Sequence, residues 1–316
     1  MRHDPISIDA AELEQSLRRV RTKAAGSAAG VFGPNSQIWK VDREAVVFLG
    51  AGRALLMQLA HPWVATAMAQ HSTALGDPIG RFHRTFQIVF TLVFGSLHQA
   101  LSAARRLHLR HATISGLMPV PIGPYPAGSR YEANEACALM WVHATLVDTA
   151  LTAYELVLAP LGAEAREQYY CECRVLGALF GIPMEEQPRD WASFAVYVEE
   201  TVASERLTVG RDAREIAAGV LSGARRIPVP RWYRALTTGL LPEPLRDAFQ
   251  FGHGERERQT AARALRFVRA AYPTLPKSLR YVAPYHEAVA RLSGRGPDLL
   301  TRSLNRLWIG RTSMPD

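Results

Sequence analysis

A short cationic segment at residues 77–86 (DPIGRFHRTF) carries the first side chains that could do chemistry. Its Asp-Pro start predicts a helix N-terminus, with Asp77 as the cap and proline in the first turn. Arg81, Arg84 and Thr85 share one face of this helix, because they lie three and four residues apart. The helix then enters the apolar run FQIVFTLVFG, where arginines need partners since an isolated buried charge is very costly. The pattern predicts a bound anion such as a carboxylate, or else Asp77 and nearby backbone carbonyls, as those partners.

Histidines at helical spacing among apolar residues form a second set of candidate groups. His111 and His143 each belong to an apolar stripe and are expected to face inward. The two stripes are Ala100, Ala104, Leu107, His111 and Ile114, and Leu139, His143, Leu146 and Ala150. His108 falls on a more polar stripe, and His61 and His71 flank the helix predicted between them. Neutral imidazole can ligate a metal or carry a proton, although an inward histidine can equally be a hydrogen-bonded core residue.

Composition limits the class of protein that these residues can belong to. The chain has 316 residues, a net charge of +8 and 48% hydrophobic residues, as expected for a globular protein. Only three of its 37 basic residues are lysines, and the arginines are spread without a basic tail, so we expect no nucleic-acid partner. Three cysteines without a C-x-x-C motif, and no apolar leader, predict a cytoplasmic protein. A peripheral membrane contact and a homo-oligomer are compatible with this sequence.

The hydropathy pattern predicts an all-α protein, a single globular domain of roughly ten helices, because almost every segment has helical periodicity. Helices are predicted over residues 41–60, 62–71, 78–97, 99–114 and 133–158. The segment GLMPVPIGPYPAGSRY is the clearest loop, since it is rich in proline and glycine. The glycines of GAGRAL lack the third glycine and the preceding strand of a nucleotide-binding loop, so we reject that interpretation.

Five blocks of this sequence, in this order, resemble the mpaB-like oxygenase family. They are GAGRALLMQLAHPWVATAMAQHS, DPIGRFHRTF, RRLHLRHATISG, WVHATLVDTAL and YYCECRVLGALFGIP. The resemblance predicts an N-terminal helix and lead-in at 1–30, a catalytic domain at 31–292 and a C-terminal tail at 293–316. The best-understood relatives, the latex-clearing proteins or rubber oxygenases, are all-helical, bind b-type haem and cleave the double bonds of polyisoprene with dioxygen. The resemblance therefore implies haem b as cofactor and dioxygen as co-substrate.

The resemblance also implies which residues hold the haem. The Arg-x-x-Lys-Thr motif of the latex-clearing proteins is similar to residues 81–85 here, with Arg84 in place of the lysine. Arginine stays protonated, so Arg84 cannot coordinate iron as a neutral amine, but it can donate hydrogen bonds to dioxygen or to a propionate. The block with the proximal haem ligand resembles RRLHLRHA, which makes His111 the expected ligand and His108 the fallback.

The leading hypothesis assigns the remaining roles. Arg81 and Arg84 would anchor propionates or oxygen, and His143 or His71 would serve as the distal acid or base. Thr85, on the face of Arg81 and Arg84, is a further catalytic candidate. The relatives use an acidic residue upstream of their motif, whereas residues 45–76 contain no Asp or Glu. Polyisoprene is therefore not the expected substrate.

Three functions are predicted. The first is a haem-dependent oxygenase acting on a hydrophobic, isoprenoid- or lipid-like small molecule. The second is an oxidoreductase with non-haem iron or another transition metal, held by a histidine cluster and one carboxylate. The candidate ligands of that site are His61, His71, His111, His143, Asp148 and Glu172. The third is a non-enzymatic helical protein that binds an acidic amphiphile.

Overall fold

The computed structural model describes residues 7–71, 77–223 and 228–316. Within these ranges the protein consists of helices and one two-stranded hairpin. The helices are α1 (Ala10–Thr22), α2 (Gln37–Asp42), α3 (Ala51–Leu59), α4 (Pro62–His71), α5 (Pro78–Phe94), α6 (Leu97–Ala112), α7 (Ala136–Val157), α8 (Ala163–Leu179), α9 (Trp191–Ala203), α10 (Arg211–Ser222), α11 (Arg231–Leu240), α12 (Glu243–Ala248), α13 (Glu255–Ala271), α14 (Lys277–Arg280), α15 (Ala283–Leu292) and α16 (Leu299–Ile309). The all-α prediction is confirmed, with more helices than the ten expected.

Helices α4 and α5 begin at the predicted residues, whereas α6 begins two residues earlier and α7 three residues later than predicted. Asp77 caps α5 by accepting a hydrogen bond from the Gly80 N–H (2.9 Å), and proline occupies the first turn. The Ser96 hydroxyl accepts from the Gln99 N–H (3.2 Å) and the Gln99 side chain bonds back, which forms a capping box that starts α6. Both helices end earlier than predicted, α5 by three residues and α6 by two, because periodicity locates helix ends poorly.

The helix predicted over 41–60 is broken into α2, a 3₁₀ turn (Ala45–Gly50) and α3. Two glycines in this region allow other helices to come close. A Cβ atom at Gly50 would overlap the Thr149 side chain on α7, and one at Gly52 would lie 2.8 Å from Thr237 on α11. The glycines of the GAG sequence therefore allow close helix packing. This agrees with our rejection of a nucleotide-binding loop at this position.

A β-hairpin occupies the segment that the sequence predicts as a loop. Its strands β1 (Ser115–Leu117) and β2 (Arg130–Glu132) are antiparallel, with Ser115 opposite Glu132 and Leu117 opposite Arg130. Each strand has three residues, too few for an alternating pattern to be recognised in the sequence. The hairpin places β2 against α4.

Helix α7 lies at the centre of the core and packs on α2, α3 and α8. The Trp141 indole N–H on α7 donates to the Met57 carbonyl of α3 (2.9 Å), and the Trp39 indole on α2 donates to the Val93 carbonyl of α5 (2.8 Å). By length and composition α7 could cross a membrane, and α3 with its 3₁₀ turn and α4 form a similarly apolar pair bent by 101°. Since 67% of the apolar window of α7 is buried inside the protein, α7 has the environment of a core helix.

The C-terminal segment is held against α5 and α15 by α16. The buried Glu287 carboxylate accepts hydrogen bonds from Asn305 Nδ2 (2.7 Å) and from the Met314 N–H (3.0 Å). The division of the chain at residues 30 and 292 stays a prediction.

Candidate active site

A cavity of about 540 Å³ lies between α4, α5, α6 and α7, with the hairpin as part of its wall. This volume lies in the range of sites for cofactors and small molecules. Most of the lining is apolar: Trp63, Val64, Ala67, Met68, Ile88, Val89, Leu107, Ile114, Ala133, Ala138, Leu139, Val142, Leu146 and Phe180. The polar lining residues are Gln58, His71, Arg81, Arg84, Thr85, Arg110, His111, Tyr131, Glu132 and His143.

Most residues that the sequence singles out meet in this cavity. Those in its lining are His71, Arg81, Arg84, Thr85, His111 and His143. The inward stripes predicted on α6 and α7 are confirmed, since Leu107, His111 and Ile114, and Leu139, His143 and Leu146, all face the cavity. The catalytic and ligand roles of these residues stay predictions.

His143 lies at the floor of the cavity and is 1% exposed. Burial lowers the pKa of its imidazole to about 4, and the nearby Cys173 backbone only partly opposes this shift. Neither ring nitrogen has a hydrogen-bond partner of normal geometry within the described residues. A neutral imidazole has one N–H donor and one acceptor, and buried polar atoms are rarely left without partners. The floor therefore offers a donor and an acceptor to a bound molecule.

His111 lies on the α6 wall and is also uncharged at neutral pH. Burial lowers its pKa to about 4, and the neighbouring His108 and Arg110 lower it further, while the Asn134 side chain opposes the shift. Asn134 is itself fixed by a hydrogen bond from Nδ2 to the His108 carbonyl (3.1 Å). Neutral imidazole is the form that binds metals, so His111 is suited to ligate one.

The hairpin positions the ring of His71. His71 Nε2 lies 3.1 Å from the Ser115 carbonyl oxygen and 3.0 Å from the Tyr131 hydroxyl. A carbonyl only accepts, so Nε2 carries the proton and the lone pair is on Nδ1. Tyr131 in turn donates to Gln70 Oε1 (2.6 Å). Gly116 is required here, because a Cβ atom at this position would lie 2.6 Å from the Tyr131 hydroxyl.

Three arginines make the cavity rim cationic. Arg84 is exposed at the rim and pairs with Asp77, with 3.2 Å between Nη1 and Oδ2. Arg81 lies deeper and donates from Nη2 to the Met68 sulfur (3.0 Å). Burial, together with Arg84 and Arg110, lowers the pKa of Arg81 to about 10. Arg81 thus remains charged at neutral pH, and an anion bound beside it would relieve the repulsion between these arginines.

The carboxylate in the cavity lining comes from a position that the sequence does not reveal. Glu132 on β2 lines the cavity, and Arg130 Nε lies 2.7 Å from its Oε1. The latex-clearing relatives use an acid upstream of their motif, but residues 45–76 of this chain contain no Asp or Glu. Tyr131 and Glu132 are missed because they lie in the hairpin. Arg110 is three residues from Leu107 on the same stripe, so the spacing could have identified it.

The candidate ligands of the predicted histidine–carboxylate metal site do not all come together among the described residues. His61 is not in the cavity lining, and its Nε2 is instead 3.1 Å from the Tyr125 hydroxyl. The two carboxylates have structural partners: Asp148 pairs with Arg53 (2.7 Å), and Glu172 accepts from the Ile38 N–H (2.7 Å). Among the residues that the structure describes, no three His, Cys, Asp or Glu side chains are close enough to hold a metal ion.

His108 is more buried than its position on the more polar stripe of α6 suggests. His108 is 8% exposed and packs inside the protein, and burial lowers its pKa. A polar stripe usually indicates a solvent-exposed side of a helix. It does not do so for His108, because α1 packs over this side of α6. His108 is not part of the cavity lining, so it is a poor fallback for His111 as a ligand.

Comparison with known proteins identifies one family. The model of the family described as "ER-bound oxygenase mpaB/B'/Rubber oxygenase, catalytic domain" matches residues 39–270. The match covers well over half of the chain and includes every residue of the cavity lining. No curated protein and no solved structure matches the chain at a significant level.

The burial of His143 predicts a pH dependence of stability. Its pKa is about 4 in the folded protein and 6.5 for an ordinary histidine, so only the unfolded chain binds a proton here as the pH falls through this window. Stability conferred by the neutral ring is therefore lost toward low pH. Between about pH 7 and about pH 5, the free energy of unfolding of the wild type should fall by about 2 kcal/mol more than that of His143→Gln.

Urea unfolding at the two pH values measures this difference, and the other titrating groups cancel because both proteins contain them. Leu146→Met, also in the cavity wall, is the matched control and should follow the wild type. Parallel pH profiles for the wild type and His143→Gln would contradict the prediction.

Proposed function

Because the chain belongs to the family of mpaB-type and rubber oxygenases, we propose that it is a haem-dependent oxygenase acting on a hydrophobic, isoprenoid- or lipid-like molecule. Family membership makes it an oxygenase in general, using dioxygen and a substrate. One observation carries the more specific proposal. Two uncharged histidines, His111 and His143, face a single apolar cavity whose rim is cationic.

The residues of this cavity fit a b-type haem. A haem presents a flat apolar ring, a metal that takes an imidazole ligand, and two carboxylates. The apolar side chains of α4 to α7 suit the ring, and Arg81, Arg84 and Arg110 suit the carboxylates. The buried ring nitrogens of His143 have no hydrogen-bond partner of normal geometry among the described residues, as expected of groups whose partner is a bound molecule.

In this proposal His111 holds the haem iron. Its ring is already neutral because burial lowers its pKa, so no proton has to be lost before ligation. The Asn134 side chain is close enough to oppose the lowering of the His111 pKa, and it occupies the place of an outer partner of a metal-binding histidine. When bound, haem supplies the dioxygen chemistry.

The arginines bind the anionic groups. Arg81 is the deeper of the pair on α5, and Arg84 is held at the rim by Asp77. Arg84 replaces the lysine of the latex-clearing motif, and its permanent charge suits anion binding rather than metal ligation. Anion binding by Arg81 and Arg84 would explain why a helix that enters the core begins with two arginines.

Two histidines handle protons on the substrate side. His71 holds its proton on Nε2 toward the Ser115 carbonyl, which leaves Nδ1 to accept a proton. His143 has one N–H and one lone pair at the dry floor. The Glu132 carboxylate near the rim adds a proton acceptor that is in contact with solvent. The apolar walls exclude water and hold the substrate.

The other two functions are not retained. The non-haem site required a convergent histidine cluster, which the described residues do not form. The non-enzymatic binding protein does not agree with membership in a family of oxygenase catalytic domains.

Haem titration tests the role of His111. The wild type should bind one haem and develop a Soret band, whereas His111→Gln should bind more than about a hundredfold more weakly, since loss of outer partners alone costs tenfold to a hundredfold. His98→Gln is the matched control, because His98 lies exposed on the same helix and outside the cavity. Stoichiometric haem with an unchanged spectrum in His111→Gln would show that another residue is the ligand.

Haem dimethyl ester tests the arginines. Arg81→Gln and Arg84→Gln should each weaken haem binding by roughly tenfold, because each removes a charge-assisted hydrogen bond. Binding of the ester, which has no carboxylate charge, should be almost unchanged by either substitution. Arg130→Gln is the control, since Arg130 is outside the cavity lining. An equal loss for haem and its ester would exclude propionate binding by these arginines.

A further inference from the structure

Helix α16 presents large apolar side chains to solvent. Leu299, Leu300 and Leu307 are 81%, 54% and 66% exposed, while Thr301 and Ile309 on the opposite side are buried. The three leucines lie on one side of the helix, since 300 and 307 are two turns apart and 299 is adjacent. Exposed leucines are ordinary when scattered, but three on one face of one helix indicate an interaction surface.

Arginines flank this row of leucines. Arg302 and Arg306 are four residues apart and exposed, so they form one edge of the same solvent-facing side. Between residues 299 and 315 the sequence contains no Asp or Glu. The face thus combines apolar and cationic side chains, which is the composition of helices that lie in the headgroup region of a bilayer.

We propose that this face, the α16 patch (Leu299, Leu300, Arg302, Arg306 and Leu307), docks on the surface of an anionic phospholipid bilayer. The leucines would enter the boundary between headgroups and acyl chains, and the arginines would pair with lipid phosphates. A second copy of this chain fits the patch less well. A symmetric self-interface would bring arginines of the same patch together, and like charges oppose such contacts.

The patch lies close to the cavity rim. The Leu307 carbonyl oxygen is 3.0 Å from His83 Nε2 on α5, and the next residue, Arg84, lines the rim. Gly310 follows in a left-handed conformation (φ 68°), and a Cβ atom there would lie 2.8 Å from His83 Nδ1. Docking would therefore bring the cavity near the membrane, where a lipid-like substrate would be found. This consequence rests on the proposed function, but the docking itself does not.

Vesicle sedimentation with the purified full chain tests the proposal. Vesicles of phosphatidylcholine alone are compared with vesicles that also contain phosphatidylglycerol, without haem or substrate. The wild type should bind the anionic vesicles. The triple variant Leu299→Ser/Leu300→Ser/Leu307→Ser should partition at least about tenfold more weakly. Arg302→Gln/Arg306→Gln should lose the preference for anionic vesicles.

Phe267→Ser is the matched control, because Phe267 is 73% exposed on α13, outside the patch, and it should bind as the wild type does. Far-UV circular dichroism checks that every variant is folded. Absence of vesicle binding by the wild type, or equal binding by the triple variant, would overturn the proposal. So would a wild-type dimer that the triple variant converts to a monomer. Any of these results would leave the haem proposal intact, since haem titration is done without lipid.

Discussion

The desolvation of imidazole groups is the constraint on which the site depends. An apolar cavity wall that buries His111 and His143 lowers the pKa of each to about 4, so both rings are neutral in the pH range where cells work. Neutral rings can ligate a metal or exchange protons, whereas protonated ones cannot ligate. The cost is two polar groups in an apolar region, one of them without a partner among the described residues, and a bound cofactor would offset that cost.

The surrounding structure maintains this environment. Helix α7 carries His143 at the centre of the core, and α6 carries His111 on the adjacent wall. The hairpin closes one side and fixes His71 through Ser115 and Tyr131. At the other end α5 carries Arg84 at the rim, where solvent and Asp77 stabilise its charge, and Arg81 deeper in the cavity beside the Met68 sulfur. The apolar floor and the cationic rim of the cavity together favour an amphiphilic ligand, one with an apolar body and an anionic edge.

Much of this site could be predicted from the sequence. Helical periodicity identifies His111 and His143 as inward, and the Asp-Pro start of α5 with its arginines predicts the rim, since these patterns depend on local chain geometry. Tyr131, Glu132 and Gln58 could not be predicted, because tertiary packing brings them to the cavity from a short hairpin and from another helix. Burial of His108 and the pairing of Asp148 with Arg53 likewise depend on which helices pack together. Spacing within one helix does not contain that information.

The visible absorption spectrum of the purified wild-type protein, recorded before and after reduction with dithionite, shows directly whether the cavity is a haem site. We expect a Soret band and the reduced bands of haem b, present as purified or after addition of one equivalent of haem. A colourless protein that stays colourless after haem is added would contradict the central claim, that this cavity with its neutral histidines is a haem site.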